Sequence, residues 1–344
     1  MTRAQLTSTV EQNSGGAVAP YVAGKNKIIN GDFGIWARGT SFTSVPSTKT
    51  FTADRLYTQR DGTGATVDVS QQTFTPGTAP VSGYEGTYFL RFNQSVAGSG
   101  STYNSLIQKI EDVRIFAGQT VTFSFWAKAS SSLSIPALSI EQNFAAGGSA
   151  TVSVVGSAGF SLTTSWQRFS TTFNIPSISG KTVGTNSALM AEINFANNTV
   201  QTIDIWGVQL EAGSVATPFT TATGTLQGEL ALCQRYLPAV MVGANNRIFG
   251  VASNTTNAYV GVTFPVTARV APTGITTSAV SGFTLVTSSV ATGPVTAIGF
   301  DSAGINSASL AFGVTLNNPV MATNIGVDIN SSSGSYILFT GCEL

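Results

Sequence analysis

Apolar and polar residues alternate in short runs along most of this chain, and each run ends at a Gly, Asn, Asp, Ser or Pro signal. Alternation with a period of two marks a half-buried β-strand. The runs include Thr66–Val69, Thr87–Phe92, Ser105–Ile110, Thr120–Ala127, Leu138–Glu141, Thr151–Val155, Gln167–Ile175, Ala188–Phe195 and Gln201–Leu210. Turn signals such as Asp61-Gly62, Pro76-Gly77, Gly147-Gly148, Ser179-Gly180 and Asn197-Asn198 separate them. In Thr120–Lys128, alternation puts Val121, Phe123, Phe125 and Ala127 on one side and Thr122, Ser124, Trp126 and Lys128 on the other. Many short strands at this spacing predict an all-β protein with an antiparallel sandwich or jelly roll over residues 26–222.

One stretch breaks the pattern. Leu226, Leu230, Cys233 and Leu237 recur at helical spacing in 223–238. Thr225 is placed to cap the start and Pro238 to stop the end, so a short connecting helix is predicted there. Beyond it, strand-length runs resume over 239–344 and predict a second, smaller β-sandwich. Residues 1–25 are small and polar without a period, and read as an N-terminal arm ordered only against a partner or as a disordered tail.

Composition sharpens this picture. Charged residues are 9% of 344, far below the roughly 25% usual in globular proteins. The 16 basic and 16 acidic residues balance, which argues against nucleic-acid binding and against a polybasic membrane patch. No apolar run approaches the ~18 to 20 residues of a spanning helix, so no membrane insertion is expected. The start of the chain lacks a basic-then-apolar leader, which argues against ordinary secretion. After Pro238 the charged residues are Arg247, Arg269, Asp301, Asp328 and Glu343 alone. Interface cores are depleted in charge, so this region predicts a homo-oligomer. The helix stripe of Leu226, Leu230, Cys233 and Leu237 would then act as an oligomerisation collar. Cys233 and Cys342 are too few for a disulfide framework, and read as two buried thiols or as one pair. The absence of histidine removes Ser–His–Asp and Cys–His nucleophile systems and His-ligated metals. The acidic residues are scattered, and no carboxylate pair for glycoside hydrolysis is visible in their spacing.

The segments Asn26–Trp36 (NKIINGDFGIW), Phe51–Arg55 (FTADR), Ala117–Ala129, Trp166–Phe173 and Asp204–Phe219 (DIWGVQLEAGSVATPF), in this order, resemble a known family. It is the carbohydrate-binding-module-like, galactose-binding-like jelly roll of many bacteriophage tail-fibre and related virion proteins. The resemblance implies a non-enzymatic structural or adhesive protein of the virion, a tail or head fibre assembled in the host cytoplasm. It implies a homotrimer whose residues 1–25 attach to other virion proteins and whose body meets a host surface polysaccharide. The alternatives are an exported carbohydrate-binding module acting alone and a capsid decoration protein without a receptor role. For glycan binding, Trp126 on its polar strand face, with Lys128 and Arg168 beside it, is the candidate platform. Related modules often carry structural Ca2+, for which Asp32 and Asp204 are the matching positions. Gly34 stands where the family pattern has a further acidic residue.

Overall fold

The computed structural model describes residues 23–81, 84–156, 159–287, 292–314 and 325–344. The arm expected at 1–25 lies, for residues 1–22, outside them. The chain divides into two compact units, Met1–Glu229 and Leu230–Leu344.

Among the described residues, the first unit contains fourteen strands in chain order. They are β1 (Ser41–Phe42), β2 (Thr50–Phe51), β3 (Leu56–Arg60), β4 (Thr66–Thr73), β5 (Tyr88–Val96), β6 (Asn104–Glu111) and β7 (Thr120–Ala129). There follow β8 (Leu133–Ile135), β9 (Ala137–Asn143), β10 (Val152–Val155), β11 (Phe160–Leu162), β12 (Gln167–Asn174), β13 (Ala188–Asn194) and β14 (Gln201–Ala212). One six-stranded sheet runs β1-β4-β5-β14-β7-β12, and the other runs β10-β9-β13-β6-β3-β2. We call them the front and back sheets. Their facing sides bury one core, including Val121, Phe123, Phe125 and Ala127 from β7 and Leu189, Ala191 and Ile193 from β13. The jelly-roll sandwich expected from the alternation is present.

The last strand, β14, is the pivot of the front sheet. It pairs with β5 only as far as Ile205↔Leu90, and its register against β7 shifts between Trp206 and Gln209. Gly207 sits in this bulge with φ +65, and a Cβ there would come within 3.0 Å of the Trp126 ring. Glycine tolerates both conditions. Where β5 stops, the opening segment takes over its role. Asn26 Nδ2 donates to the carbonyls of Val208 (3.0 Å) and Thr220 (2.9 Å). Its Oδ1 accepts from the N–H groups of Ile28 (2.9 Å) and Leu210 (3.0 Å). Asn30, at φ 60, donates through Nδ2 to the Ile35 and Asp54 carbonyls and accepts from the Ile35 N–H. Both amides are buried.

The predicted helix is present but shorter, α1 (Leu226–Gln234). The Thr225 hydroxyl accepts from the Gly228 N–H at 3.1 Å, the cap expected from sequence. The stripe, however, divides along the helix axis. Leu226 and Leu230 are exposed, whereas Cys233 and Leu237 are 1% exposed. Cys233 and Leu237 are therefore interior residues unavailable to a second chain, which corrects half of the expected collar. Leu237 also lies beyond the last helical turn. Cys233 and Cys342 are both buried and form no disulfide with each other.

The second unit holds β15 (Ala239–Val240), β16 (Arg247–Ala252), β17 (Asn257–Thr263), β18 (Gly274–Thr277), β19 (Phe283–Thr287), β20 (Thr292–Ala303), β21 (Ser307–Val314), β22 (Gly326–Ser331) and β23 (Ile337–Thr340). The smaller β domain is there, but its main sheet closes on itself as a barrel, β16-β17-β21-β20-β19-β22, instead of forming a two-sheet sandwich. A three-stranded sheet, β15-β23-β18, accompanies it. Strict alternation along β17 and β21 sends Ala258, Val260, Val262, Leu310 and Phe312 into the barrel core. Closure leaves the barrel without an unpaired edge, which a sequence with period-two runs does not reveal.

Replacing Asn26 by Ala deletes four hydrogen bonds and strands two carbonyls and two N–H groups in the interior. We expect Asn26→Ala to lower the stability of the first unit by about 2–4 kcal/mol in urea unfolding. A loss below 0.5 kcal/mol would mean that water replaces the amide.

Candidate functional site

The two outward faces of the sandwich differ in chemistry. On the front sheet, register places Trp206, Trp126 and Arg168 in one cross-strand row, and Arg91, Asp204 and Lys128 in the next. The aromatic row is closed over. Trp206 is fully buried, with Tyr84 edge-on at 5.4 Å and Phe219 at 4.8 Å, and Phe74 packs on Phe89 and Trp166. These residues form a second hydrophobic cluster outside the main core.

The residues expected to bind sugar sit at this cluster, where Lys128 and Arg168 have their polar groups engaged and the buried Trp126 indole N–H has no protein partner among the described residues. Trp126 is half-buried within it. Lys128 lies over the Trp166 ring at 5.3 Å and pairs with Asp204 at 3.6 Å. Arg168 donates to Ser124 Oγ at 3.2 Å and to the Thr217 carbonyl, pinning the segment after β14. The polar rim expected around Trp126 is thus spent on holding the fold. Trp36 is also packing, with its indole N–H donated to the Phe33 carbonyl at 2.8 Å.

The two acids matched to calcium do not meet as ligands. Asp204 takes a bidentate pair from Arg91 (2.7 and 2.9 Å) as well as Lys128, so its oxygens already face two cations. Asp32 instead lines a pocket of about 310 Å³ with Glu229, Tyr84 and Tyr88, and Asp204 is not among the lining residues. Burial, then the charge of Glu229, raises the Asp32 pKa, while hydrogen bonds from its own N–H and that of Gly34 pull it down. Among the described residues, no group of three or more His, Cys, Asp or Glu gathers where a metal could sit. Hard cations want several oxygens, so these residues do not fit a calcium site.

The back sheet carries the other face. Opposite the core-facing Leu56, Leu106, Leu189 and Ala191, it turns out Tyr57, Ile107 and Met190, a small apolar cluster flanked by Phe51. Register sets Tyr57, Ile107, Glu192 and Ser139 in one row, with Lys109, Met190 and Glu141 in the row beside it. A hydrogen-bonded ladder crosses three strands. Ser105 Oγ donates to Asn194 Oδ1 (2.7 Å), Asn194 Nδ2 donates to Ser139 Oγ (2.9 Å), and Ser139 Oγ donates to Glu192 Oε2 (3.2 Å). Although this face turns away from the core, Tyr57 is 1% and Glu192 9% exposed. Burial, and secondly the neighbouring Glu141, push the Glu192 carboxyl up to about 7, against the Ser139 hydrogen bond. The Tyr57 phenol is raised by burial first and then by Glu192 and Glu141. Apolar patches interleaved with carboxylates, an amine, an amide and hydroxyls suit a polyhydroxyl ring, whose C–H faces need cover and whose hydroxyls need partners. Sequence reasoning missed this face because its residues come from four strands and carry no tryptophan.

Residues 61–188 match a family described as a carbohydrate binding domain. None of the curated proteins matches the chain. Among solved structures, the chain is similar to the enzymatically active domain of tailspike protein 4 of bacteriophage CBA120, with 13% identity and TM-score 0.35. That match covers 55% of this chain and 22% of the tailspike. A family 11 carbohydrate-binding module from Clostridium thermocellum, in complex with a mixed-linked tetrasaccharide, gives 11% identity and TM-score 0.32, over 52% of this chain and 98% of the module. A xylan-binding domain from Paenibacillus barcinonensis gives 15% and 0.31, over 57% and 100%. The matched stretch of this chain is carbohydrate-binding-module-like.

Glu192 sets a pH dependence. Its folded pKa of about 7 lies above the unfolded 4.5, so between these values the native state holds a proton that the unfolded chain has released. Stability therefore falls as pH rises through this window, by on the order of 1–3 kcal/mol. Chemical denaturation at the two ends should show the slope in the wild type and lose it in Glu192→Gln. An equal slope in both would remove Glu192 as its source.

Proposed function

We propose that this chain is a non-catalytic, glycan-binding structural subunit of a phage virion fibre, on tail or head, that works as a homo-oligomer. The virion motifs in the sequence, the match over 61–188 and the absence of histidine support this reading. The observation that carries the glycan part is the back-sheet face, where the Ser105–Asn194–Ser139–Glu192 ladder lies beside Tyr57, Ile107 and Met190. Lys109 and Glu141, half-buried beside the ladder, are the groups placed to meet sugar hydroxyls. Residues 1–25 attach the subunit to other virion proteins, and the locale is the assembled particle. A weak sugar site repeated around a symmetry axis gains avidity through effective concentration.

Saturation-transfer NMR of the full chain with host surface polysaccharide tests the assignment. Wild type should bind; Lys109→Met and Glu141→Gln should each weaken binding about tenfold, roughly one hydrogen bond to a charged group. Lys128→Met, on the front face, should leave it unchanged. The reverse pattern would move the site to the front sheet, and release of new reducing ends would overturn the non-catalytic part.

A further inference from the structure

The barrel carries a patch that the glycan reading does not use. β16 and β17 turn Phe249, Val251 and Tyr259 outward, 68%, 51% and 43% exposed. Their strand neighbours Ala252, Ala258 and Val260 fill the interior. Register puts Val251 between Tyr259 and Gly326, and puts Asp328 between Phe249 and Val286. Gly326 presents no side chain, and beside Phe249 a depression of about 290 Å³ opens over Gly250, Val286, Gly326 and Asp328. An aromatic knob and a hole with room for a side chain thus lie in one patch. The row continues through Ala311, with only a methyl group, and Gly299, with no side chain, so the surface stays flat beyond the knobs.

We infer that this face is where copies of the chain meet, with Phe249 of one copy seated in the hole beside Gly326 of another. The occupant follows from shape and charge. A patch holding both knob and hole is complementary to itself, as a symmetric contact requires. Its one ion pair, Arg247 with Asp328, closes within the chain, so the patch offers no net charge to an oppositely charged partner and two copies meet without repulsion. Exposed contiguous apolar surface of this kind marks an interaction site, and stable interfaces bury about 800 Å² per partner around such aromatic centres. The barrel has no free strand edge, so association proceeds through side chains and not by strand addition.

The inference rests on the proposed homo-oligomer, and the test separates the two. Sedimentation velocity of the full chain over a micromolar concentration series should show an oligomer for wild type. Phe249→Asp and Gly326→Leu should each weaken assembly by about tenfold or more, as a central contact does, with unfolding midpoints unchanged. Phe249 is exposed, and no atom lies within 4 Å of a Cβ added at Gly326, so neither change disturbs the monomer. Ile305→Asp, exposed elsewhere on this unit, should have no effect. A wild type that stays monomeric sinks both the oligomer and this face. An oligomer that both variants leave intact sinks the face alone.

Discussion

Two buried asparagine amides hold the first unit together. The hydrogen-bond ladder between β5 and β14 ends at Ile205, yet β14 runs on to Ala212 through the middle of the front sheet. Without partners, the backbone groups of Val208 and Leu210 would be orphaned in the interior, at roughly 1–3 kcal/mol each. Asn26 supplies a side-chain carbonyl and a side-chain N–H in their place. Asn30 then closes the following turn, and its own N–H donates to Glu229 at 2.9 Å. Glu229 also accepts from the Thr223 N–H and hydroxyl. The carboxylate in the first turn of α1 is therefore a buried clamp on the opening turn, where a surface charge complementing the helix dipole would have been the simpler role.

This clamp determines what the sandwich can offer to a ligand. Because the segment after β14 is drawn back across the front sheet, Phe219 lies on Trp206 and Thr217 engages Arg168. Glu211, fully buried, receives the Thr217 N–H and hydroxyl and pairs with Lys25 at 3.3 Å. The front face becomes a second small core. The back face keeps Lys109 and Glu141 half-buried beside its ladder, and the proposed glycan contacts are placed there.

The second unit solves a different problem. With six charged positions it has little to keep it apart from its own copies, and an open sheet of such composition would invite strand-to-strand aggregation. Barrel closure removes that route for the six strands of the main sheet, while β15 and β18 remain the outer strands of the three-stranded sheet. On the barrel, what remains exposed is a side-chain surface that includes Phe249, Val251 and Tyr259.

The strands, the core-facing sets such as Val121, Phe123, Phe125 and Ala127, the capped helix and the sparse charge of 239–344 were all legible in the sequence. Each is a local property, set by a period of two or 3.6 or by composition. The partners of Asp204 were not legible, since Arg91 stands 113 positions away. Nor was it legible that Trp126 would lie within an aromatic cluster, because the residues that close that cluster over, Tyr84 and Phe219, sit in loops without periodicity. The barrel closure and the split burial of Leu226, Leu230, Cys233 and Leu237 were hidden for the same reason. Alternation says which residues share a face, but strand pairing between distant segments decides which face is covered, and only the tertiary structure contains that pairing.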